Sequence, residues 1–309
     1  MVLHVQSLSQ LSVEQPSIVT VGMFDGVHRG HQWLVRQLVE AAQKNQYLSV
    51  VLTFFPHPDV VIRGITGRYY LTEPNERAEL LGELGVDIVV TFPFNEQVRQ
   101  MRAQTFVDQL VEHTKMVEFW ATADFALGYK REGNIAFLQE QGTIKGFRVH
   151  TIELVADEQG DILRSALIRD VLNAGDIRRV SYLLGRPYRV KGTVVHGEKR
   201  GRKIGFPTAN VSVWEGKLLP ANGVYACWAF LGEERFMAVT NVGQRPTFDG
   251  EDITVEAHLL DFDRDIYGEE LALDFVERLR GEMKFDGIQS LINQIQQDVM
   301  LGRSILSES

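Results

Sequence analysis

The chain has 309 residues, 44% hydrophobic and 24% charged, which is typical of a globular protein and long enough for two domains with separate cores. Its formal net charge of −9 argues against a surface that coats nucleic acid, because binding a phosphate backbone needs a basic face; local basic clusters stay open. No apolar run approaches the ~18 residues that cross a bilayer, so the sequence predicts no membrane insertion and leaves only peripheral contact open.

Cysteine usage points to a reducing compartment. Cys227 is the single cysteine and cannot form an intrachain disulfide. The opening segment from Met1 to Val5 lacks the basic stretch and apolar core of a signal peptide. We therefore expect a cytoplasmic protein, and the sequence makes no prediction of its oligomeric state.

The first half of the chain alternates β-branched runs with helical patterns, which is typical of a parallel sheet built from βαβ units. The predicted strands are Ile18–Val21, Val50–Phe54, Val86–Phe92 and Val117–Ala121. The predicted helices are Gln32–Lys44, Asn75–Leu84 and Thr105–His113. Thr72 is expected to cap the second of these helices, and Gly85 to follow its end in a left-handed conformation.

A glycine-rich turn from Gly22 to His31 joins the first predicted strand to the first helix. It lies beyond the carboxyl end of that strand, where open parallel sheets bind ligands. The unpaired N–H groups of a helix start favour an anion, and Gly30 lets a phosphate approach closely. His28 and His31 can stabilise charge on a phosphorus under attack, whereas Asp25 is expected to anchor the turn. The alternative is a turn whose histidines only cap a helix.

Two short helices, Ser165–Asn173 and Asp176–Leu184, are predicted before a change of pattern at Gly185, and we place the domain boundary there, giving domains 1–185 and 186–309. The later strands are predicted at Tyr188–His196, Val224–Leu231, Arg235–Val242, Ile253–Leu260 and Leu271–Arg278. A closing helix is expected over Gly287–Met300, with Asp286 as its cap. This order predicts an antiparallel β-barrel with a helix on its side.

The loop from Gly197 to Asn210 carries three glycines and four cationic side chains. Such a loop can fold over phosphates with its N–H groups inward while its cations neutralise a triphosphate, although it has no Walker A ending. Thr208 and Asn210 offer a hydroxyl and an amide oxygen two residues apart, which suits a hard cation such as Mg²⁺. The alternative is a mobile hairpin.

Glu256 lies on a predicted strand whose alternation places it with Thr254 and His258, opposite Val255 and Ala257. A carboxylate there can act as general base for a substrate hydroxyl. The alternative is an ordinary solvent-facing residue. No His/Cys cluster has zinc spacing.

Five segments together resemble the prokaryotic bifunctional riboflavin kinase/FMN adenylyltransferase family, also called FAD synthetase. These segments are Gly22 to His31, Thr53 to Pro58, Gly197 to Asn210, Asn241 to Phe248 and His258 to Phe262. The resemblance covers nearly the whole chain and keeps the family's order. It implies a Rossmann-like, nucleotidyltransferase-type α/β domain of the HxGH class, followed by a six-stranded riboflavin kinase barrel.

The resemblance implies two ATP-dependent steps. The C-terminal half would transfer the γ-phosphoryl of ATP to riboflavin, giving FMN, and the N-terminal half would join FMN to the α-phosphorus of a second ATP, giving FAD and pyrophosphate. Mg²⁺, or alternatively Mn²⁺, would assist, and the partners would be these small molecules rather than nucleic acid or membrane.

The resemblance also assigns roles to individual residues. In the first half, the reacting phosphate would be bound by His28 and His31. ATP would be bound by Gly22, Phe24, Gly30, Ser165 and Arg169, and the flavin by His57, Pro58 and Asp124. In the second half, Glu256 would be the base. ATP would be bound by Gly197, Gly201, Lys203, Gly205 and Thr208. The metal would be bound by Thr208 and Asn210, and the flavin by Arg280 and Glu282.

Two departures concern the first half. Thr122 stands where the family carries a glycine two positions before Asp124-Phe125. The family's Ser-Ser-Thr-x-Ile-Arg segment is Arg164 to Arg169 here, which keeps Ser165 and Arg169 and loses the threonine. Two alternatives therefore stay open: a riboflavin kinase whose first half only binds nucleotide, and a flavin-binding protein without turnover.

Overall fold

A computed structural model describes residues 2–153, 155–156, 158, 160–197, 201, 204–247 and 250–308, and of residues 245–247 and 250–252 it describes the backbone only. The chain divides into two compact units, Met1–Ser165 and Ala166–Ser309.

The first unit is built on a parallel sheet, as the βαβ pattern predicts. Its strands are β1 (Leu3–Val5), β2 (Ser17–Val21), β3 (Leu48–Phe55), β4 (Ile88–Pro93), β5 (Met116–Thr122) and β8 (Arg148–Ile152), while β6 (Ala126–Leu127) and β7 (Gly133–Asn134) pair separately. The sheet order is β1-β4-β3-β2-β5-β8. All five residues of β2 are buried, which explains why the central strands read as continuous apolar runs.

Six helices accompany this sheet in the described part of the first unit. They are α1 (Arg29–Asn45), α2 (Pro58–Arg63), α3 (Pro74–Glu83), α4 (Glu96–Arg99), α5 (Ala103–Thr114) and α6 (Ile135–Lys145). The predicted cap of α3 is wrong: the N-cap is Glu73, Pro74 fills the first helical position, and Glu76 completes a capping box. Thr72 is buried and bonds elsewhere. Gly85 adopts φ +93°, as expected of a residue that ends a helix.

The second unit contains the predicted barrel. Helices α7 (Ser165–Ala174) and α8 (Ile177–Leu184) precede it. Its strands are β9 (Tyr188–Val195), β10 (Ala209–Val213), β11 (Gly223–Leu231), β12 (Glu234–Thr247), β13 (Gly250–Leu259) and β14 (Glu270–Arg280), followed by α9 (Ile288–Ser307). The strands close in the order β10-β13-β12-β11-β14-β9, and every pair is antiparallel.

The two faces of the barrel wall differ in character. Tyr225, Cys227 and Ala257 are fully buried and fill the interior. Outside, Val224 and Val239 pack with Val299 of α9. The N-cap of α9 is Gly287 and no side chain caps it, so the prediction that Asp286 caps this helix is wrong.

Candidate active sites

The turn between β2 and α1 holds an uncommon backbone conformation. Phe24 has φ +47° and Val27 φ +40°, and a β-branched residue in the left-handed region is strained. The Phe24 ring folds back on Gly22, where a Cβ would lie 2.9 Å from its Cε2 atom. Such strain persists only where the surroundings hold it, and it clusters at functional sites.

His28 and His31 form a stacked pair at the start of α1. Their ring centroids are 3.6 Å apart, with an interplanar angle of 20°. His28 is the N-cap, and its Nδ1 accepts the backbone N–H of His31 at 3.3 Å. Because an accepting Nδ1 carries no proton, the ring proton of His28 is on Nε2.

The surroundings of the His31 ring differ from those of His28. Its Nδ1 is buried and meets no hydrogen-bonding partner among the described residues, whereas buried polar atoms are normally bonded. Burial lowers the pKa of His31 well below its ordinary value, and the nearby His28 and Arg77 lower it further. The ring is therefore neutral near pH 7 and carries one N–H. Close by, a Cβ on Gly30 would lie 3.2 Å from the His28 ring.

A cleft of about 360 Å³ opens over this pair. Most of the residues predicted for the first site line this cleft. They are Gly22, Phe24, His28, Gly30, His31, Asp124 and Ser165. Thr122, the departure from the family pattern, also lines the cleft and donates its hydroxyl to Asp124 Oδ1 at 2.7 Å. The substituted threonine thus binds the neighbouring predicted residue.

The remaining residues predicted for this site lie elsewhere. His57 and Pro58 begin α2 and are not among the residues that line the cleft. The His57 ring accepts the N–H of Asp59 at 3.0 Å, as an N-cap does. Arg169 lies on α7 in the second unit.

A buried polar cluster lies behind the turn, and sequence reasoning found only part of it. Asp25 anchors the turn as predicted: its carboxylate is fully buried and accepts the backbone N–H groups of Leu71 and Thr72, both at 3.1 Å. Its partner Arg77, also fully buried, was missed. Arg77 shares the inner face of α3 with Leu81, four residues later, and a cation at an apolar helical position is the signal that was available.

The second site is a row of polar side chains across three barrel strands. Asn210 pairs with Glu256, and Glu256 pairs with Asn241. The alternation predicted for β13 is confirmed, since Glu256 is half-buried while Val255 and Ala257 are buried. The row lies on the outer face of the barrel, because Asn241 also pairs with Val224. Asn241 was not assigned a role from the sequence.

The glycine-rich loop folds back at the head of β10. Phe206 N–H donates to the Gly201 carbonyl at 2.9 Å, and a Cβ on Gly201 would lie 3.5 Å from Thr208 Oγ1. His258 Nδ1 donates to the Pro207 carbonyl at 2.7 Å, which ties the loop to β13. Gly205 has φ +89° and open space around it. Lys203 and the other cationic residues of the loop lie outside the described residues.

Gly197 leaves room for the Asn210 amide. A Cβ on Gly197 would lie 2.3 Å from Asn210 Nδ2 and 2.8 Å from Oδ1. The side chains of Thr208, Asn210 and Glu256 make no hydrogen bond to another residue in the described ranges. Their oxygen atoms are therefore available to a ligand or to a hard cation.

Arg280 and Glu282 lie beside this row. Arg280 donates to both carboxylate oxygens of Asp298 on α9, at 2.7–3.0 Å, so its charge is already paired within the protein. Glu282 Oε2 accepts the Asn222 amide at 3.3 Å, and its Oε1 lies 2.8 Å from the position of a Cβ on Gly243. Glu282 therefore lies next to Gly243 of β12, and Gly243 is two residues after Asn241.

Membrane-spanning helices and clustered metal ligands are both absent from the described residues. No helix there has both the length and the apolar character that crossing a bilayer requires. No three His, Cys, Asp or Glu side chains converge there to hold a metal ion.

Comparison with known proteins gives a consistent result for both units. A family model described as FAD synthetase matches residues 10–166, and one described as riboflavin kinase matches residues 184–306. The Listeria monocytogenes protein named bifunctional riboflavin kinase/FMN adenylyltransferase is 37% identical, covering 91% of this chain and 90% of its own. The Escherichia coli K12 protein of the same name is 35% identical, covering 97% and 95%.

One solved structure is similar over almost the full length. It is a crystal structure described as a macrolide-efflux protein from Streptococcus pneumoniae, with a TM-score of 0.88, 30% identity and coverage of 98% of each chain. The two family models and this structure support the same two-part architecture.

Proposed function

The chain belongs to the bifunctional riboflavin kinase/FMN adenylyltransferase family, and from this premise we propose which residues perform each of its two reactions. The protein phosphorylates riboflavin with ATP to give FMN and adenylylates FMN with a second ATP to give FAD and pyrophosphate. We assign adenylyl transfer to a domain of residues 1–185 and the kinase to residues 186–309.

In the kinase site, Glu256 is the general base. It accepts the proton of the ribityl 5′-hydroxyl as that oxygen bonds to the γ-phosphorus and the bond to the β-phosphate oxygen breaks, releasing ADP. The position of Glu256 between Asn210 and Asn241 supports this role, since neither neighbour brings a competing charge. Gly197, Gly201 and Gly205 let the loop backbone approach the phosphates. Lys203 is proposed to neutralise phosphate charge.

The donor set of this site fits Mg²⁺. Thr208 and Asn210 supply a hydroxyl and an amide oxygen at the head of β10, and neither oxygen bonds to another described residue. When bound, Mg²⁺ would neutralise charge on the transferring phosphoryl group. The protein's own part is to hold Asn210 in place, which the bare backbone of Gly197 permits.

In the adenylyltransferase site, a phosphate oxygen of FMN attacks the α-phosphorus of ATP, and pyrophosphate leaves. His28 Nε2–H and the neutral His31 ring donate hydrogen bonds to the phosphate oxygens on which charge builds. Gly22, Phe24, Gly30 and Ser165 are proposed to shape the ATP side, and Asp124 the flavin side. We propose the same ATP role for Arg169 and the same flavin role for His57 and Pro58, as in the family pattern.

Arg280 and Glu282 are proposed to border the flavin ring in the kinase site. Because Asp298 already neutralises Arg280, its planar guanidinium would offer a stacking surface rather than a free charge. A buried, unpaired Cys227 and these small-molecule substrates support action in the cytoplasm without a nucleic-acid or membrane partner.

The observation that carries the two-site proposal is the stacked His28–His31 pair in its own cleft, separate in sequence from the Glu256 row. The test is product analysis with the full chain, ATP and Mg²⁺ or Mn²⁺, started from riboflavin and, separately, from FMN. We expect FAD from both. A reaction that stops at FMN would favour a kinase with a non-catalytic first half, and binding without any product would favour a flavin carrier.

A further inference from the structure

Arg77 is a buried cation that does not line the first cleft. Its guanidinium donates to Thr53 Oγ1 at 3.0 Å, to Asp25 Oδ1 at 3.3 Å and to Thr72 Oγ1 at 3.4 Å. Both charged side chains of the Asp25–Arg77 pair are 0% exposed. Apolar residues of similar volume often replace such a pair without loss of stability, so stability alone is a weak reason for it.

The acceptors of Arg77 are the groups that hold the strained turn. Thr53 Oγ1 donates to the Met23 carbonyl at 2.7 Å, and Thr72 Oγ1 accepts the Gly26 N–H at 3.0 Å. Because guanidinium and amide N–H groups only donate, the single hydroxyl proton of Thr72 goes to Asp25 Oδ1, at 3.1 Å. Arg77 therefore donates to both hydroxyls that hold the turn, one bonded to Met23 before Phe24 and the other to Gly26 after it.

The turn held in this way places the histidine pair. The Phe24 ring lies 5.0 Å from the His31 ring, and His28 directly follows the strained Val27. A strained backbone relaxes when the contacts that hold it are lost. Relaxation of Phe24 or Val27 toward negative φ would move both imidazoles relative to the cleft.

We propose that Arg77 is a positioning residue for adenylyl transfer, acting through Thr53, Thr72 and Asp25 on the turn that presents His28 and His31. This inference rests on the function proposed for the first site. It goes beyond that proposal by assigning the geometry of the site to a buried cation that does not line the cleft.

The test compares full-length variants in both reactions. Arg77→Met is expected to lower the kcat of FMN adenylylation about 100-fold, because displacement by ~1 Å has that effect, while KM for ATP and FMN stays within about threefold. Arg77→Lys keeps the charge and should recover about tenfold of that loss. Riboflavin phosphorylation, which uses the other unit, should keep its rate in both variants. Leu81→Val, a buried change on the same helix that leaves the bonds of Arg77 in place, is the control.

Several outcomes would overturn the inference. One is an Arg77→Met protein whose adenylylation kcat falls no more than that of Leu81→Val; another is a loss found only in KM. If Arg77→Met does not fold, Thr53→Val decides, since it keeps Arg77 and removes the hydroxyl that links it to the Met23 carbonyl. An unchanged kcat overturns the inference, and a loss of about fivefold supports it.

The proposed function can fail separately. If the parental chain does not convert FMN to FAD, or if His31→Ala converts it at the parental rate, the role given to the first site is wrong, and the inference about Arg77 falls with it. If the parental chain converts FMN and His31→Ala does not, the proposed function holds. The Arg77 variants then test the inference about Arg77 alone.

Discussion

Asn210 and Glu256 lie directly opposite each other in the antiparallel pairing of β10 with β13, so a proposed metal ligand and the proposed base share one small area of the barrel wall. Directly paired side chains in antiparallel strands are ~5 Å apart at Cβ. In the proposed kinase site, a hydroxyl bound at Glu256 would therefore lie beside the cation that Asn210 is proposed to hold.

Glu256→Gln tests the base. The amide keeps the size of the side chain but cannot accept the hydroxyl proton as a carboxylate does, so FMN formation should fall about 10²–10⁴-fold. Conversion of supplied FMN to FAD should be largely unchanged. Liquid chromatography of the flavin products measures both rates, and an equal loss of both would refute separate sites.

His31→Ala tests the histidine pair. Loss of a donor to the developing phosphate charge should lower FMN adenylylation about 10²–10³-fold, whereas riboflavin phosphorylation should keep its rate. His31→Gln retains an N–H donor and should recover part of the activity. A parental adenylylation rate in the alanine variant would show that the cleft does other chemistry.

Gly197→Ala tests the space beside Asn210. Because the new methyl group would lie 2.3 Å from Asn210 Nδ2, the amide must move, and kinase activity should fall with a higher requirement for Mg²⁺. Asn210→Ala is the reference, and the two variants should resemble each other. Titration of Mg²⁺ in the kinase assay decides: an unchanged Mg²⁺ dependence in Gly197→Ala would contradict the assignment of Asn210.

The lowered pKa of His31 predicts a dependence of stability on pH. Below the ordinary value of 6.5 the unfolded chain binds a proton at this residue that the folded chain does not, so the free energy of unfolding falls as pH decreases toward the folded pKa. The slope is at most about 1.4 kcal/mol per pH unit, and above that range His31 contributes none. Protection of the α1 amides from hydrogen exchange should differ less between about pH 7.5 and about pH 5.5 in His31→Gln than in the parental chain. Identical differences would count against this account.

Cys227 should be inert in the folded protein. It is fully buried in β11, and burial raises the pKa of its thiol. We expect iodoacetamide to leave the native protein unlabelled and to react once urea unfolds the barrel, which mass spectrometry can follow at this single cysteine. Rapid labelling without denaturant would mean that the barrel opens under native conditions.

The parts of the fold that follow from burial were predictable from the sequence. The central strands of the first unit are buried on both faces and read as continuous apolar runs, and β13 alternates because only one of its faces is buried. By contrast, β8 carries Arg148, His150 and Thr151 at the sheet edge, and β1 has three residues, so neither gave a strand pattern. Strand β10 was missed for a different reason: it has five residues, and the first two, Ala209 and Asn210, were assigned to the glycine-rich loop.

The site was predictable where it depends on local sequence. The turn carrying His28, Gly30 and His31 could be recognised from the sequence, because its candidate residues lie within ten consecutive positions. The hydrogen bonds that hold that turn could not be recognised in this way, since Arg77 and Asp25 are 52 positions apart. Pairing of Asn241 with Glu256 likewise depends on strand register, which no short motif contains.

Closure of the barrel has a consequence for how the protein is made. Strand β14, the last of the six, pairs with β9, the first, and with β11. A nascent or truncated chain that ends before Glu270 therefore leaves the sides of β9 and β11 without their neighbours, and unpaired strand edges promote aggregation. Synthesis of the kinase half thus reaches a protected state only once Arg280 has emerged from the ribosome.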